Sequence, residues 1–372
     1  MEKSKTLGKN NSNNISDRRM FFIKNIDDLE NENIEFSNIE YEVYSDGYTV
    51  GECNFGPYYF TIWEFSYKKD GEERKLCLRI KEKVYSEDNR NLLLAEKEGY
   101  YHGGDIVDEI LALSSLFLRR RFKRGPKVRW DDKPMLFLKP EEWIDKPLIV
   151  GKRNLSELSN WYELVKGLDD NLHQKFILAA RLYHQAILII EEQPDLAYLN
   201  LVSAIETLCR EQKIEDVELY ELDGGLASLI DSIKNHELKD KIKQSILKRE
   251  HFICRKFREF IIENIEESFW NYEERPKQGQ IEPNILRELL TRIYNQRSKT
   301  LHEGQPFPPN IFMPPLLGAE LDFSKGMIVR GRRWEEKDYI PNPHFFERLV
   351  NHVLKTYLKR NQKKNLKQNE TS

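Results

Sequence analysis

The stretch NILRELLTRIYNQRSKTLHEG, residues 284–304, decides how the second half of this chain is interpreted. Its apolar residues Leu286, Leu290 and Ile293 recur every three or four positions, which is the spacing of one buried helix face. Pro283 precedes the stretch and a glycine ends it, as is typical of the two ends of a helix. The stretch therefore predicts a long amphipathic helix within a helical domain.

The same apolar stripe leads to Arg297, so its guanidinium is predicted to lie along the buried face of the helix. An unpaired cation there is costly, and a carboxylate, a helix C-terminus or a ligand phosphate must meet it. His302 follows five residues later, about 140° around an ideal helix. The two side chains converge only if the last turn unwinds before Gly304 or if a second subunit supplies the other half.

Composition limits the classes of protein that need consideration. The 372 residues suit two domains, and 19 Phe, 17 Tyr and 6 Trp are enough to fill their cores. A net charge of −3 excludes a polycation, so any nucleic-acid contact must come from local patches. No apolar run reaches the roughly 18 residues that span a bilayer. The four cysteines lack C-x-x-C spacing, which indicates buried thiols in a reducing cytoplasm. We expect a cytoplasmic protein without a cofactor, a metal site or membrane contact.

The N-terminal domain, residues 20–155, is predicted to be α+β. Aromatic and β-branched runs flank Asp46-Gly47 and Asp70-Gly71, both of which are turn signals. Helical spacing then begins near GGDIVDEILALSSLFL, and the segment GPKVRWDDKPMLFL, residues 125–138, is expected to be a loop.

The C-terminal domain, residues 156–360, is predicted to be an all-α helical bundle, because helical periodicity recurs through most of it. The segment GRRWEE within it is expected to be a loop. Residues 1–19 are expected to be a disordered leader, and residues 361–372 a basic disordered tail.

A basic run, RRRFKRGPKVR, occupies residues 119–129 of the N-terminal domain. A run of this kind can follow the phosphates of a nucleic acid. The alternative interpretation is a solvated helix end. The candidate RNA contacts are Arg119, Arg120, Arg121, Lys123 and Arg124.

Three segments of the C-terminal half resemble the HEPN superfamily (higher eukaryotes and prokaryotes nucleotide-binding), in particular its Apea-like branch. They are AARLYHQAI with PDLAYLNLVSAIETL, then IYNQRSKTLHEG, and the closing PHFFERLVNHVLKTYL. The second carries Arg297 and His302 in the R-x4–6-H spacing of that superfamily. The resemblance spans roughly residues 170–360 and does not cover residues 1–155.

The resemblance implies a HEPN-like helical bundle that commonly forms homodimers. Many members are metal-independent ribonucleases of host defence or toxin systems, so RNA and a second copy are the implied partners, with a regulatory protein as a possible further one. Histidine titrates near neutral pH, so His302 is the candidate general acid/base. Arg297 is the candidate phosphate clamp, since its planar fork fits phosphoryl oxygens. Glu206 is interpreted as its orienting partner. Ser298 stands where the family often has Asn, Asp or His.

Two other hypotheses stay open. The chain can be a non-catalytic HEPN module that binds RNA or a nucleotide and regulates a partner, which the departure at Ser298 favours. It can also be a structural helical scaffold, in which Arg297 forms a buried salt bridge with Glu206 and His302 interacts with the helix dipole.

Overall fold

The computed structural model of the protein describes residues 21–29, 35–63, 75–83, 105–131, 133–134, 151–210, 224–246, 252–272, 275–322, 327–329 and 331–370. The chain divides into two compact units, residues 1–184 and 185–372. The predicted leader, residues 1–19, lies outside the described residues.

The first unit contains both strands and helices. Its elements are α1 (Phe21–Leu29), β1 (Phe36–Ser45), β2 (Thr49–Val50), β3 (Cys53–Phe55), β4 (Tyr58–Ile62), β5 (Lys75–Lys83), α2 (Ile106–Leu118), β6 (Phe122–Trp130), β7 (Lys133–Pro134), β8 (Arg153–Asn154), α3 (Glu157–Lys166) and α4 (Asp170–Ile189). The last residues of α4 belong to the second unit. The predicted domain boundary was residue 155, but α3 packs on β3 and α2, so the first unit extends further along the chain.

The described strands form a six-stranded sheet in the order β3-β4-β5-β1-β6-β7. The central strand β1 runs antiparallel to β5 on one side and to β6 on the other. Strands β4 and β5 pair antiparallel, as the hairpin signal predicted, while the Asp70-Gly71 turn itself lies outside the described residues. The bend at Asp46 and Gly47 directly follows β1, as expected. The short strands β2 and β8 form a separate parallel pair.

One face of the sheet carries the core of the first unit. Val43, Leu76, Leu78 and Ile80 are fully buried there, and α2 is buried around most of its circumference. Asp105 caps α2 by accepting a hydrogen bond from the Asp108 N–H at 3.1 Å. Burial of these side chains from two neighbouring strands and one helix stabilises the unit through the hydrophobic effect.

The expectation of a loop over residues 125–138 is wrong for residues 125–130 and 133–134, because β6 and β7 occupy them. Gly125 and Pro126 are typical of loops, but here they occupy an irregularity in the pairing with β1, where the register shifts between Tyr41 and Val43. A Cβ atom at Gly125 would lie 2.7 Å from the Glu42 carbonyl oxygen, so only glycine allows this approach.

The second unit is mostly helical. Its elements are α5 (Pro194–Cys209), α6 (Gly224–Asp231), α7 (His236–Ile246), α8 (Phe252–Glu263), α9 (Pro283–Glu303), β9 (Met327–Val329), β10 (Arg332–Trp334) and α10 (Pro343–Glu370), with short 3-10 turns between some of them. Helix α5 packs against α8, α9 and α10, and α8 packs against α9. The ring of Tyr198 on α5 stacks on Phe346 of α10 at a centroid distance of 4.8 Å.

Three expectations for this half need correction. It is not all-α, because β9 and β10 pair as an antiparallel hairpin around Gly331, whose φ is 78°. The segment GRRWEE is therefore not a loop throughout, since β10 occupies Arg332–Trp334. The expected disordered tail is wrong for residues 361–370, where α10 continues to Glu370. Lysine and glutamine favour helix intrinsically, so a polar sequence can extend a helix that the buried Leu349, Val353 and Leu354 anchor.

No helix within the described ranges has the length and apolarity needed to cross a membrane.

Candidate functional site

Helix α9 positions the candidate catalytic residues. It begins at Pro283, whose missing N–H costs nothing in a first turn, and it stays helical through Glu303. Gly304 follows in the left-handed conformation with a φ of 65°, and its N–H donates to the Thr300 carbonyl oxygen at 3.2 Å. The last turn is therefore closed by a capping motif, and it does not unwind before Gly304.

The buried stripe of α9 follows the sequence prediction. Leu286, Leu290 and Ile293 are 3%, 0% and 0% exposed, and the side chain of Arg297 is 20% exposed at the next position of the stripe. Leu301, which comes four residues later, is exposed. The stripe therefore leaves the core near Arg297, at the boundary between the packed interior and the surface.

Arg297 meets Glu206, a residue of α5, as expected from the sequence. Its Nη2 donates to Glu206 Oε2 at 2.8 Å, and the Tyr294 hydroxyl donates to Glu206 Oε1 at 2.8 Å. Each carboxylate oxygen thus accepts one hydrogen bond from α9. Burial and the neighbouring Glu206 raise the pKa of Tyr294 above its usual range, which keeps its hydroxyl protonated as a donor.

The cluster lines a cleft of about 410 Å³ in the second unit. The lining residues are Glu206, Cys209, Arg210, Ile253, Lys256, Tyr294 and Arg297. Three of these side chains are cationic and one is a carboxylate, so the cleft attracts anions. Its volume falls in the range of about 300–1,000 Å³ that is usual for small-molecule sites.

Lys256 and Cys209 define the chemistry of the cleft wall. Lys256 Nζ donates to the Arg210 carbonyl oxygen at 2.6 Å, close to the C-terminal end of α5. Burial, assisted by the charge of Glu206, raises the pKa of the Cys209 thiol to about 12. Because the thiolate is the reactive form of cysteine, Cys209 is unsuited to act as a nucleophile at neutral pH.

His302 lies outside this cleft. It is exposed on the last turn of α9, and it makes no hydrogen bond or ion pair with any residue that the structure describes. On a regular helix it is about 140° around and about 7.5 Å along the axis from Arg297. A single chain therefore keeps Arg297 and His302 apart. Ser298 is half-buried and does not line the cleft either.

The basic run does not form one surface. Arg120 and Arg121 are 0% and 2% exposed, and Arg120 donates to the Gly151 carbonyl oxygen, so both are wrong as RNA contacts. Arg119 ends α2 in a left-handed conformation with a φ of 49°. Lys123 and Arg124 are exposed, and Arg124 Nη1 pairs with Asp105 Oδ2 at 2.7 Å.

Several residues that line the cleft were not among the candidate residues predicted from the sequence. Tyr294 could have been found, because it lies three residues before Arg297 and shares its side of the helix. Lys256 and Ile253 come from α8, and Arg210 directly follows α5. No sequence spacing relates these to Arg297, since the packing of the three helices brings them together.

Within the described part of the chain, no three His, Cys, Asp or Glu side chains gather as a set of metal ligands.

Comparisons of the chain with protein-family models, with curated proteins and with solved structures find no match.

Proposed function

We propose that the second unit is a HEPN-type endoribonuclease that cleaves RNA without a metal ion. The observation that carries the proposal is the cationic cleft in which Glu206, itself hydrogen-bonded by the Tyr294 hydroxyl, holds the guanidinium of Arg297 at a surface boundary. The resemblance of IYNQRSKTLHEG to the HEPN motif supports the same assignment.

Arg297 is suited to bind the scissile phosphate. A guanidinium carries five N–H donors in one plane, and Glu206 accepts from one of them. The Arg297 Nε atom is buried, so the N–H groups on the two Nη atoms that Glu206 leaves unused are the ones that can bind phosphoryl oxygens, which stabilises the charge of the transition state. Lys256 and Arg210 add positive charge to the same cleft, so the anionic backbone of RNA is favoured there over a neutral ligand.

His302 supplies the proton transfers in the proposed reaction. An imidazole removes the proton of the 2′-hydroxyl, and the 2′-oxygen attacks the adjacent phosphorus atom. The bond from phosphorus to the 5′-oxygen breaks, and that oxygen leaves with a proton from an imidazolium. The products are a 2′,3′-cyclic phosphate and a 5′-hydroxyl. Because the nucleophile belongs to the RNA, the protein needs only the proton donor and acceptor and the cation.

The proposed enzyme is a homodimer in which one chain supplies Arg297 and its partner supplies His302. Within one chain the two side chains diverge, and the capped last turn of α9 excludes the unwinding that would bring them together. A two-fold axis repeats each residue on both sides of an interface, so two composite sites form together.

Incubation of the purified protein with total RNA in EDTA tests the proposal. We expect cleavage that leaves 2′,3′-cyclic phosphate ends. His302→Ala and Arg297→Lys should both lose this cleavage. His236→Ala is the matched control, because His236 is an exposed histidine on another helix of the same unit, and it should cleave as the parent does. Intact RNA with the parent protein, or full cleavage by His302→Ala, contradicts the proposal.

A second candidate is a non-catalytic module that binds RNA or a nucleotide in the same cleft. The exposed position of His302 outside the cleft favours it, as does serine at position 298. This candidate predicts that Arg297→Lys weakens binding of a non-cleavable oligonucleotide, that His302→Ala leaves it unchanged, and that the parent produces no cyclic phosphate.

A further inference from the structure

The six-stranded sheet has a second face, here called the open face. Its exposed and half-buried residues include charged and aromatic side chains, which surround the buried Glu40, Glu42 and Cys77. Strand pairing sets its composition, because residues opposite each other on neighbouring strands point to the same face. Glu40 of β1 lies opposite Arg79 of β5 and Arg129 of β6. Tyr44 lies opposite Lys75 and Lys123 in the same way.

The open face is cationic. Its strand residues include six cations, Lys75, Arg79, Lys81, Lys83, Lys123 and Arg129, against the two carboxylates Glu40 and Glu42, and Lys83 lies 3.7 Å from Asp28. Arg79 Nε donates to Glu40 at 2.7 Å, and Arg129 Nε lies 3.3 Å from the other oxygen of that carboxylate. The two arginine side chains remain 49% and 46% exposed. The face thus keeps an excess of exposed positive charge, although the whole chain has a net charge of −3.

Aromatic rings alternate with these cations. The Arg79 guanidinium lies over the Tyr59 ring at 5.7 Å, and the Lys81 ammonium lies over Phe36 at 5.1 Å. Both rings are half-buried, so part of each remains open to solvent. A nucleobase can stack on such a ring or on the guanidinium plane, while the adjacent cation binds the phosphate that follows.

We propose that the open face binds single-stranded nucleic acid. Rings on the face of a sheet can stack only on bases that are not already stacked within a duplex, which favours a single strand over a double helix. The excess of cations matches the charge of the phosphates. An acidic peptide or an anionic lipid would also use the cations, but the alternation of rings with cations matches the alternation of bases with phosphates along a single strand.

Strand β6 contains a matched control for this proposal. Lys123 and Arg129 lie on the open face, whereas Arg124 and Lys127 approach Tyr41, which is only 5% exposed in the core face. Arg124 also pairs with Asp105 at 2.7 Å. The double variants Lys123→Gln/Arg129→Gln and Arg124→Gln/Lys127→Gln therefore remove the same charge from one strand but from different surfaces.

The test uses the full chain and a fluorescent 2′-deoxyuridine oligomer, which lacks the 2′-hydroxyl and resists the proposed cleavage. Binding is measured by anisotropy over a series of salt concentrations. The Lys123→Gln/Arg129→Gln variant should bind more weakly, with a log–log salt slope flatter by about 1.4, since each phosphate contact on a single strand contributes about 0.7. The Arg124→Gln/Lys127→Gln variant should match the parent in affinity and slope.

The ring is tested separately at Tyr59. Tyr59→Leu should weaken oligomer binding about fivefold or more without a change of salt slope, and Tyr59→Phe should restore parental binding because it keeps the ring. Equal binding by the two β6 double variants, or no binding by the parent, overturns the proposal. If the open-face variant loses binding to phosphatidylserine vesicles but retains oligomer binding, the surface binds lipid and the proposal is wrong.

Discussion

Replacement of Arg297 by alanine should lower the stability of the second unit and abolish RNA cleavage together. In the parent, Arg297 donates to Glu206 at 2.8 Å, and the Glu206 side chain is 15% exposed. Alanine leaves this carboxylate without its cation, and an unsatisfied buried group costs about 1–3 kcal/mol. Tyr294 still donates to the other oxygen at 2.8 Å, so we expect the lower part of this range, about 1–2 kcal/mol.

Thermal unfolding measures this cost. For a unit of this size, a loss of about 1–2 kcal/mol corresponds to a Tm lower by roughly 2–8 °C. Arg297→Lys should keep most of the stability, because it retains a cation, while losing the fork that binds phosphate. Arg287→Ala is the control on the same helix, since Arg287 is 53% exposed and Glu259 keeps Arg258 as a partner. A Tm for Arg297→Ala equal to that of Arg287→Ala would refute the reasoning.

Three further predictions concern both units. His302→Ala should lose cleavage without a change of Tm, whereas His236→Ala should change neither, as gel assays and melting curves will show. Arg120→Glu should unfold the first unit, because position 120 is 0% exposed and a negative charge buried there is costly. Circular dichroism should show the loss of structure. Burial raises the pKa of Glu109 from 4.5 to about 8, so the folded chain holds a proton that the unfolded chain releases. Stability from this group should therefore fall as the pH rises from 4.5 to about 8, and Glu109→Gln should remove that fall in urea titrations at several pH values.

The periodicity of single helices was predictable from the sequence. The apolar stripe of α9 predicted which residues are buried, and the position of Arg297 on it predicted a partner such as Glu206, which the structure places at 2.8 Å. Phe346, Leu349 and Val350 of α10 have the same helical spacing, and all three are buried. These features depend on local spacing, so a sequence is enough to define them.

The burial and the orientation of the cations in the basic run were not predictable from local spacing. Read as a helix end, RRRFKRGPKVR places all its cations in solvent. In the structure α2 ends at Leu118 and β6 starts at Phe122, so Arg120 and Arg121 fall in a buried connection. Strand pairing with register shifts then distributes the remaining cations to two surfaces. Which face each one takes depends on the partner strand, and the run itself does not specify that partner.

Mixing two inactive variants tests most directly whether Arg297 and His302 of different chains form one ribonuclease site. Chains carrying His302→Ala and chains carrying Arg297→Lys are unfolded together, refolded as an equimolar mixture and incubated with RNA in EDTA. A mixed dimer contains one composite site with both native residues, so the mixture should recover roughly a quarter of the parental cleavage, with 2′,3′-cyclic phosphate ends. If the mixture forms dimers but does not cleave RNA, while the parent protein is active in the same assay, the shared site is contradicted.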